Sequence, residues 1–174
     1  MGTHLRLEDA LAWRAALRAA GQTLVFTNGH FDLLHVGHLD YLERARALGD
    51  ALFVGVNGDA STRRLKGPGR PLVPAVERAR LLAALIPVTA TIIFETDTAS
   101  PLIEALRPEV YVKGGDYAAR ETGEAKPLPE RPFVETYGGR VILLDYLPGH
   151  STSELIARVQ ALPPAGPIRT DAAQ

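Results

Sequence analysis

The chain of 174 residues is 46% hydrophobic and 22% charged, has no cysteine, and carries 19 basic against 20 acidic residues for a net charge of −1. That length and apolar content suit one domain with a buried core, and exclude a chain-wide disordered protein, a disulfide scaffold, a zinc finger and an iron–sulfur protein. With no long like-charge run, no signal-peptide profile in MGTHLRLEDALAW and no apolar stretch near the roughly 20 residues that span a bilayer, neither nucleic acid nor membrane is an expected partner, and a cytoplasmic location is expected.

Residues 7–20 place Leu7, Leu11, Trp13 and Leu17 near helical spacing and stop at Gly21. Leu24 to Thr27 is β-prone and runs into Asn28-Gly29, which makes it the first strand. Leu39, Leu42, Ala45 and Leu48 then line one face of a helix over 36–48, closed by Gly49. The continuous apolar run from Ala51 to Val56 predicts a buried parallel strand. Residues 57–73 (NGDASTRRLKGPGRPLV) read as a loop rich in glycine and arginine, before a helix that Pro74 opens and that runs to Leu85. Ile92 to Phe94 is the third strand, Ser100-Pro101 starts a helix reaching Arg107, and Val110 to Val112 is the fourth strand, ending in Lys113-Gly114-Gly115-Asp116.

Residues 117–139 are polar and punctuated by prolines, an excursion rather than a second domain. Val141 to Leu144 is the fifth strand. Ser151-Thr152-Ser153-Glu154 matches a capping box and opens the last helix, to about Leu162, with the tail 163–174 expected to be disordered. Strand and helix alternate throughout. The pattern predicts a single α/β domain over 1–162, a Rossmann-like doubly wound parallel five-stranded sheet with helices on both faces.

In such a sheet, ligands bind beyond the carboxyl ends of the strands. Polar, glycine-bearing segments follow several strands directly, and they would share one rim. After the first strand comes NGHFDLLHVGH, in which His35 and His38 stand three apart at a helix start and can meet the same point. Gly37 between them permits close backbone approach, and a helix start with free N–H groups and two imidazoles makes a phosphate cradle. A zinc site from His30, Asp32, His35 and His38 matches no usual ligand spacing. Gly149-His150-Ser151-Thr152-Ser153 offers a second hydroxyl-rich helix start, where Ser151 also reads as a plain N-cap.

Of the 19 basic residues 16 are Arg, and the three Lys are Lys66, Lys113 and Lys126. Lys66 and Lys113 both stand beside glycine, and with Arg78 they supply mobile cations around the cradles, whereas Lys126 reads as solvated. Arg63, Arg64 and Arg70 also read as solvated, with a role in holding phosphate as the alternative. No Walker motif or GxGxxG follows the first strand and no GxSxG is present, which sets aside a P-loop ATPase, a dinucleotide dehydrogenase and a serine hydrolase.

TNGHFDLLHVGHLDYL resembles the signature segment of the cytidylyltransferase-like nucleotidyltransferases, whose hallmark is HxGH after the first strand. The run VGVNGDASTRRLKGPGRPLVP, then YVKGGDY and GHSTS, resembles more closely the adenylyltransferase domain that makes ADP-heptose from heptose 1-phosphate and ATP, over about residues 7–160. His30 stands where those enzymes usually carry Cys, and His150 where Tyr is common.

The resemblance implies in-line attack by an acceptor phosphate on the α-phosphorus of ATP, with His35, His38, Lys66 and Lys113 as catalytic residues. Nucleotide would be bound by Thr27, Asn28, Gly29, Phe31, Asp32, Gly37, Arg78, Gly149, Ser151, Thr152 and Ser153. The acceptor would meet Asp32, Lys66, Gly114 and Asp116. It implies Mg²⁺ carried in on the triphosphate without dedicated protein ligands, small-molecule substrates and a homodimer. The competing readings are a glycerol-3-phosphate cytidylyltransferase and a non-catalytic nucleotide-binding module. The first is disfavoured because Tyr146 to Gly149 stands where such enzymes carry Arg-Thr-Glu-Gly; the second because the HxGH, both lysines and the Ser-Thr cap are intact.

Overall fold

The structure, a computed structural model, describes residues 2–114 and 128–163. Its strands are β1 (Thr3–Leu5), β2 (Leu24–Gly29), β3 (Ala51–Asn57), β4 (Ala90–Phe94), β5 (Val110–Gly114) and β6 (Arg140–Leu144). They form one parallel sheet in the order β1-β4-β3-β2-β5-β6. The helices are α1 (Leu7–Ala19), α2 (Val36–Arg46), α3 (Asp59–Lys66), α4 (Ala75–Ala83), α5 (Ser100–Leu106), α6 (Arg131–Thr136) and α7 (Thr152–Gln160).

The central strands are buried on both sides, so their side chains alternate between two cores rather than between core and solvent. Leu24, Phe26 and Phe53 pack with α1, α5 and α6 on one face, around Ala10, Leu17, Ile103, Leu106 and Val134. Val25, Leu52, Val54 and Val56 pack on the other face with Tyr41, Leu42 and Ala45 of α2 and Ala79 and Leu82 of α4. At about 1.5–3 kcal/mol for each large apolar side chain fully buried, these two layers supply the driving force that holds the polar rim in place.

Three elements differ from the sequence expectation. The sheet has six strands, not five: Thr3–Leu5 pairs parallel with β4, Thr3 opposite Ala90 and Leu5 opposite Ile92. It is a short, half-exposed edge strand with no apolar run to announce it. The stretch 57–73 is not all loop, because α3 occupies Asp59–Lys66; its buried face is Ser61 and Thr62, hydroxyls that leave no hydrophobic period to read. The prolines of 117–139 did not exclude a helix either. Pro132 sits in the first turn of α6, where its missing N–H costs nothing. The expected tail lies, from 164 on, outside the described residues.

From β2 the chain winds outward through β3 to β4, then returns to the other side of β2 for β5 and β6. The order therefore reverses between β2 and β5, and that is where a crevice opens at the carboxyl ends. The loops after β4 and after β6 stand four strand spacings apart, about 19 Å. Among the described residues, no helix is long and apolar enough to cross a membrane.

Candidate active site

A cavity of about 570 Å³ lies over this switch point. Its floor is Asn28 and Gly29 from β2, Asn57 from β3, and Lys113 and Gly114 from β5. Tyr111 donates to Asn28 Oδ1 at 2.8 Å, which fixes the asparagine between the two strands. The backbone of Gly114 is covered by the Tyr146 ring, which a Cβ there would strike.

The β2–α2 loop makes one wall. Phe31 takes a left-handed backbone, φ +46°, which turns the chain so that Asp32 points under the loop. Asp32 does not greet solvent: its carboxylate accepts from the amides of Leu72 (2.8 Å) and Val73 (2.9 Å) and pairs with Arg70. Burial pushes its carboxyl up, but the Val73 and Leu72 amides and the Arg70 guanidinium outweigh that and hold it below the usual carboxylate range. Asp32 is thus an anchor that ties the RLKGPGRPLV segment to the signature loop.

His35 is the N-cap of α2 but caps it with no side-chain hydrogen bond, which leaves the helix start open to an anion. His38 stacks on His35 with ring centroids 4.0 Å apart. Phe31 covers the other side of His38 at 5.3 Å. Burial, with His35 beside it, pulls His38 down to about 4; burial, with His150 beside it, also lowers His35. Both rings are neutral at neutral pH. The Nδ1 atoms of both are shut off from solvent without a hydrogen-bond partner. That arrangement favours the tautomer with its proton on Nε2, where an oxyanion can accept it.

The second wall comes from the loop after β6 and the start of α7. Ser151 Oγ accepts from the Glu154 amide at 3.1 Å, the first half of the capping box. Its O–H is not consumed by that bond, so cap and ligand donor coexist in one hydroxyl. Thr152 Oγ1 reaches the Leu33 carbonyl at 3.5 Å, and Ser151, Thr152 and Ser153 line the cavity with His150. Gly37 is required here: a Cβ would sit 2.9 Å from Cβ of His150, so the two cradles meet at that glycine.

Lys66, at the end of α3, and Lys113 line the cavity together with Arg70 and His30. His30 Nδ1 lies 3.0 Å from Thr62 Oγ1. Burial and then the charges of Lys66, Arg78, Lys113 and Arg70 pull His30 down to about 4. Several cations therefore converge on one neutral imidazole, and a phosphate arriving there would be offset by them.

Most of the expected site residues share this cavity: Asn28, Gly29, Phe31, Asp32, His35, Gly37, His38, Lys66, Lys113, Gly114, Ser151, Thr152 and Ser153. Thr27 does not; it is buried beneath, 2.7 Å from the Tyr41 hydroxyl. Gly149 lies in the turn before α7, φ +74°, outside the lining. Asp116 and Lys126 lie outside the described residues.

Arg78 is not a mobile cation. It is fully buried below the cavity and donates to Val73 O (2.7 Å), Asn57 O (2.8 Å), Asp59 (2.9 Å) and His30 O. Nor are Arg70 and Arg64 simply solvated. Arg70 holds Asp32, and Arg64 bonds Asp97 (2.8 Å) and the Glu95 carbonyl (2.7 Å).

Residues that sequence reasoning missed line the end of the cavity beside β4: Asp97, Thr98 and Glu130. Glu130 is buried, 5% exposed, and its carboxylate accepts from the Ala99 amide at 3.3 Å. A carboxylate has room for about four donors, so this one bond leaves Glu130 with acceptor capacity to spare. Nothing local marks Glu130, because it follows a polar stretch and becomes a wall residue through the α5 cap. Among the described residues, no group of three or more His, Cys, Asp or Glu assembles to hold a metal.

The family model described as cytidylyltransferase-like matches residues 26–158. The chain is 54% identical over 142 residues to the bifunctional protein HldE of Syntrophotalea carbinolica, covering 82% of this chain and 28% of that protein. It is 51% identical over 153 residues to the bifunctional protein HldE of Geotalea uraniireducens, covering 87% and 30%. The chain thus spans less than a third of the length of these curated relatives. The crystal structure of the lipopolysaccharide core biosynthesis protein from Thermoplasma volcanium GSS1 matches the fold with a TM-score of 0.57 at 25% identity, over 73% of this chain and 98% of that one.

Proposed function

Since the chain belongs to the cytidylyltransferase-like family, we propose that it is a nucleotidyltransferase that moves the adenylyl group of ATP onto a sugar phosphate, favouring heptose 1-phosphate, with release of pyrophosphate. The observation that carries this reading is the pair of phosphate cradles at the switch point. The open start of α2 with neutral, stacked His35 and His38 meets the hydroxyl-bearing start of α7, and Lys113 lies in the same cavity.

An oxygen of the acceptor's phosphate forms a bond to the α-phosphorus while the bond to the bridging oxygen breaks. That electron pair leaves with pyrophosphate. A phosphate monoester is already an anionic nucleophile near neutrality, so no activating base is needed, and catalysis is positioning with charge stabilisation. His35 and His38 donate from Nε2 to the α-phosphoryl oxygens as charge shifts toward the leaving group. Their lowered proton affinity suits this: a neutral donor leaves no imidazolium to trap the product. Ser151, Thr152 and Ser153 hold the β- and γ-phosphates, and Lys66 and Lys113 neutralise the charge that two phosphate groups bring together. Magnesium enters as part of the nucleotide substrate, MgATP. The carboxylate of Asp32 is already engaged, which fits a metal held by phosphate oxygens and water rather than by the chain.

The choice of ATP and of heptose 1-phosphate rests on the likeness of RLKGPGRP and VKGGDY. Glu130 and Thr98, which line the β4 end of the cavity, support a polyhydroxylated acceptor, because buried carboxylates accept readily from sugar hydroxyls. We extend the proposal to a homodimer on the resemblance alone, which a light-scattering mass will test.

The deciding assay gives the purified chain and Mg²⁺ either ATP or CTP, each with heptose 1-phosphate or glycerol 3-phosphate, and follows pyrophosphate. Release with ATP and heptose 1-phosphate is the expected result. Turnover confined to CTP with glycerol 3-phosphate would overturn the substrate assignment but leave the reaction class. Bound nucleotide with no pyrophosphate from any pair would overturn both.

A further inference from the structure

The chemistry proposed above leaves one imidazole of the cavity without a task. His30 stands between the signature loop and α3, and its surroundings decide which ring nitrogen carries the proton. Nδ1 lies 3.0 Å from Oγ1 of Thr62, a fully buried residue of α3. The same hydroxyl reaches the Asn57 carbonyl at 3.4 Å, and a carbonyl only accepts, so Thr62 donates there. A hydroxyl has one proton. Given to Asn57, it leaves Oγ1 to accept from Nδ1–H of His30. The reverse arrangement, with Thr62 donating to a bare Nδ1, keeps only one of the two bonds. It would also turn an N–H toward the lysines of the cavity.

His30 is therefore the opposite tautomer to His35 and His38, whose protons sit on Nε2. Its ring lines the cavity, and among the described residues nothing bonds its Nε2. Burial and the nearby charges of Lys66, Arg78, Lys113 and Arg70 keep the ring neutral at neutral pH. A bare lone pair accepts and cannot donate, so it opposes a phosphate oxygen and favours a group that brings its own proton. The cations are left to take the phosphate.

Position in the fold decides which substrate supplies that proton. Thr62 and Lys66 are four residues apart on α3 and so share a face, on the β3 side of the crevice. Asp97, Thr98 and Glu130 line the cavity farther along that side, whereas α7 follows β6 on the other side of β2. His30 thus belongs to the acceptor's half of the site. Lys66 and Lys113, assigned above to phosphate, act on this same ring, so the hydroxyl within its reach is the one nearest the acceptor's phosphate. Resting on the reading of the chain as a sugar-phosphate nucleotidyltransferase, we propose that His30 determines acceptor specificity. Its Nε2 accepts from the hydroxyl beside the phosphate-bearing carbon, the C2 hydroxyl of a sugar 1-phosphate, and Thr62 is the positioning residue that holds the tautomer.

The test is side-chain ¹⁵N NMR of the full chain at neutral pH, with the histidines assigned through their backbone correlations. The proton of His30 is expected on Nδ1. Heptose 1-phosphate should shift the bare Nε2 resonance saturably, and its 2-deoxy analogue should leave it in place. In steady-state assays, His30→Phe and Thr62→Val should raise KM for heptose 1-phosphate about tenfold, the loss of one neutral hydrogen bond, with KM for ATP unchanged. The 2-deoxy analogue should serve the wild type and His30→Phe equally. A proton found on Nε2, or an equal response to the 2-deoxy analogue, would overturn the proposal, and neither result depends on a variant that folds. Pyrophosphate release with Nε2 unmoved would overturn this inference alone. An Nε2 response without pyrophosphate would overturn the assigned reaction and leave His30 as an acceptor of the sugar's hydroxyl.

Discussion

Arg78→Leu removes a guanidinium that joins four separate segments: the Val73 carbonyl before α4, the Asn57 carbonyl at the end of β3, the Asp59 carboxylate at the start of α3, and the His30 carbonyl in the signature loop. Arg78 is fully buried, so water cannot replace the bonds without entering the core. Asn57 O keeps the Thr62 hydroxyl at 3.4 Å, but leaving the Val73 and His30 carbonyls unpaired costs about 1 kcal/mol each, and leaving Asp59 without its buried partner adds a further 1–2 kcal/mol. Asp59 keeps the Ala75 amide at 2.8 Å and its side chain is 35% exposed, which limits that last contribution. The apolar gain from a buried Leu offsets part of the sum, leaving about 2–3 kcal/mol.

For a domain of this size that lowers Tm by about 7 °C. Thermal melts and urea titrations of the wild type, Arg78→Leu and Arg78→Lys measure it; the lysine variant should recover little, since one ammonium cannot span the forked geometry. The same substitution loosens the His30 loop and the entry to α3, which carries Lys66, so kcat/KM should fall even at a temperature where the variant is folded. A loss of stability below about 1 kcal/mol, with unchanged kinetics, would refute the bracing role.

His35→Ala and His38→Ala should each lower kcat of pyrophosphate release about a hundredfold or more while changing nucleotide affinity far less, because each removes a donor used in the transition state; equal losses in binding and rate would indicate a merely structural role. Glu130→Gln should raise KM for the sugar phosphate about tenfold and leave KM for ATP unchanged, as one charged acceptor becomes a weaker neutral one; a change confined to ATP would refute its acceptor-side role. Stability should fall as the pH drops from about 6.5 to about 4. His30 and His38 take up protons near 6.5 when unfolded but only near 4 when folded, so acid favours the unfolded chain across that window and these two groups add no further loss below it. The contribution from His38 is on the order of 2–3 kcal/mol. Urea titrations at several pH values read it, and a His38→Gln variant with an equally steep decline would remove His38 from the account.

Features whose physics is local were legible in the chain. The apolar runs of β3 and β5 announce strands buried on two faces, since a run with no polar alternation has no solvent side. Ser151 and Glu154 signal a helix start because cap and acceptor lie three residues apart on one turn. His35, Gly37 and His38 pointed to an anion cradle for the same reason: one helical turn brings them together wherever the helix sits. Tertiary structure decided the rest. Arg78 is chemically the same residue as the exposed Arg63, and only partners 5, 19, 21 and 48 residues away make it a buried brace. Asp32 became an anchor of the signature loop through two amides forty residues on. α3 buries hydroxyls because its neighbours are the polar ends of strands, so no apolar stripe could form, and Glu130 faces the cavity because α5 starts beside it. A side chain's role follows from the groups that surround it, and here those groups come from segments that only the folded sheet brings within hydrogen-bonding distance.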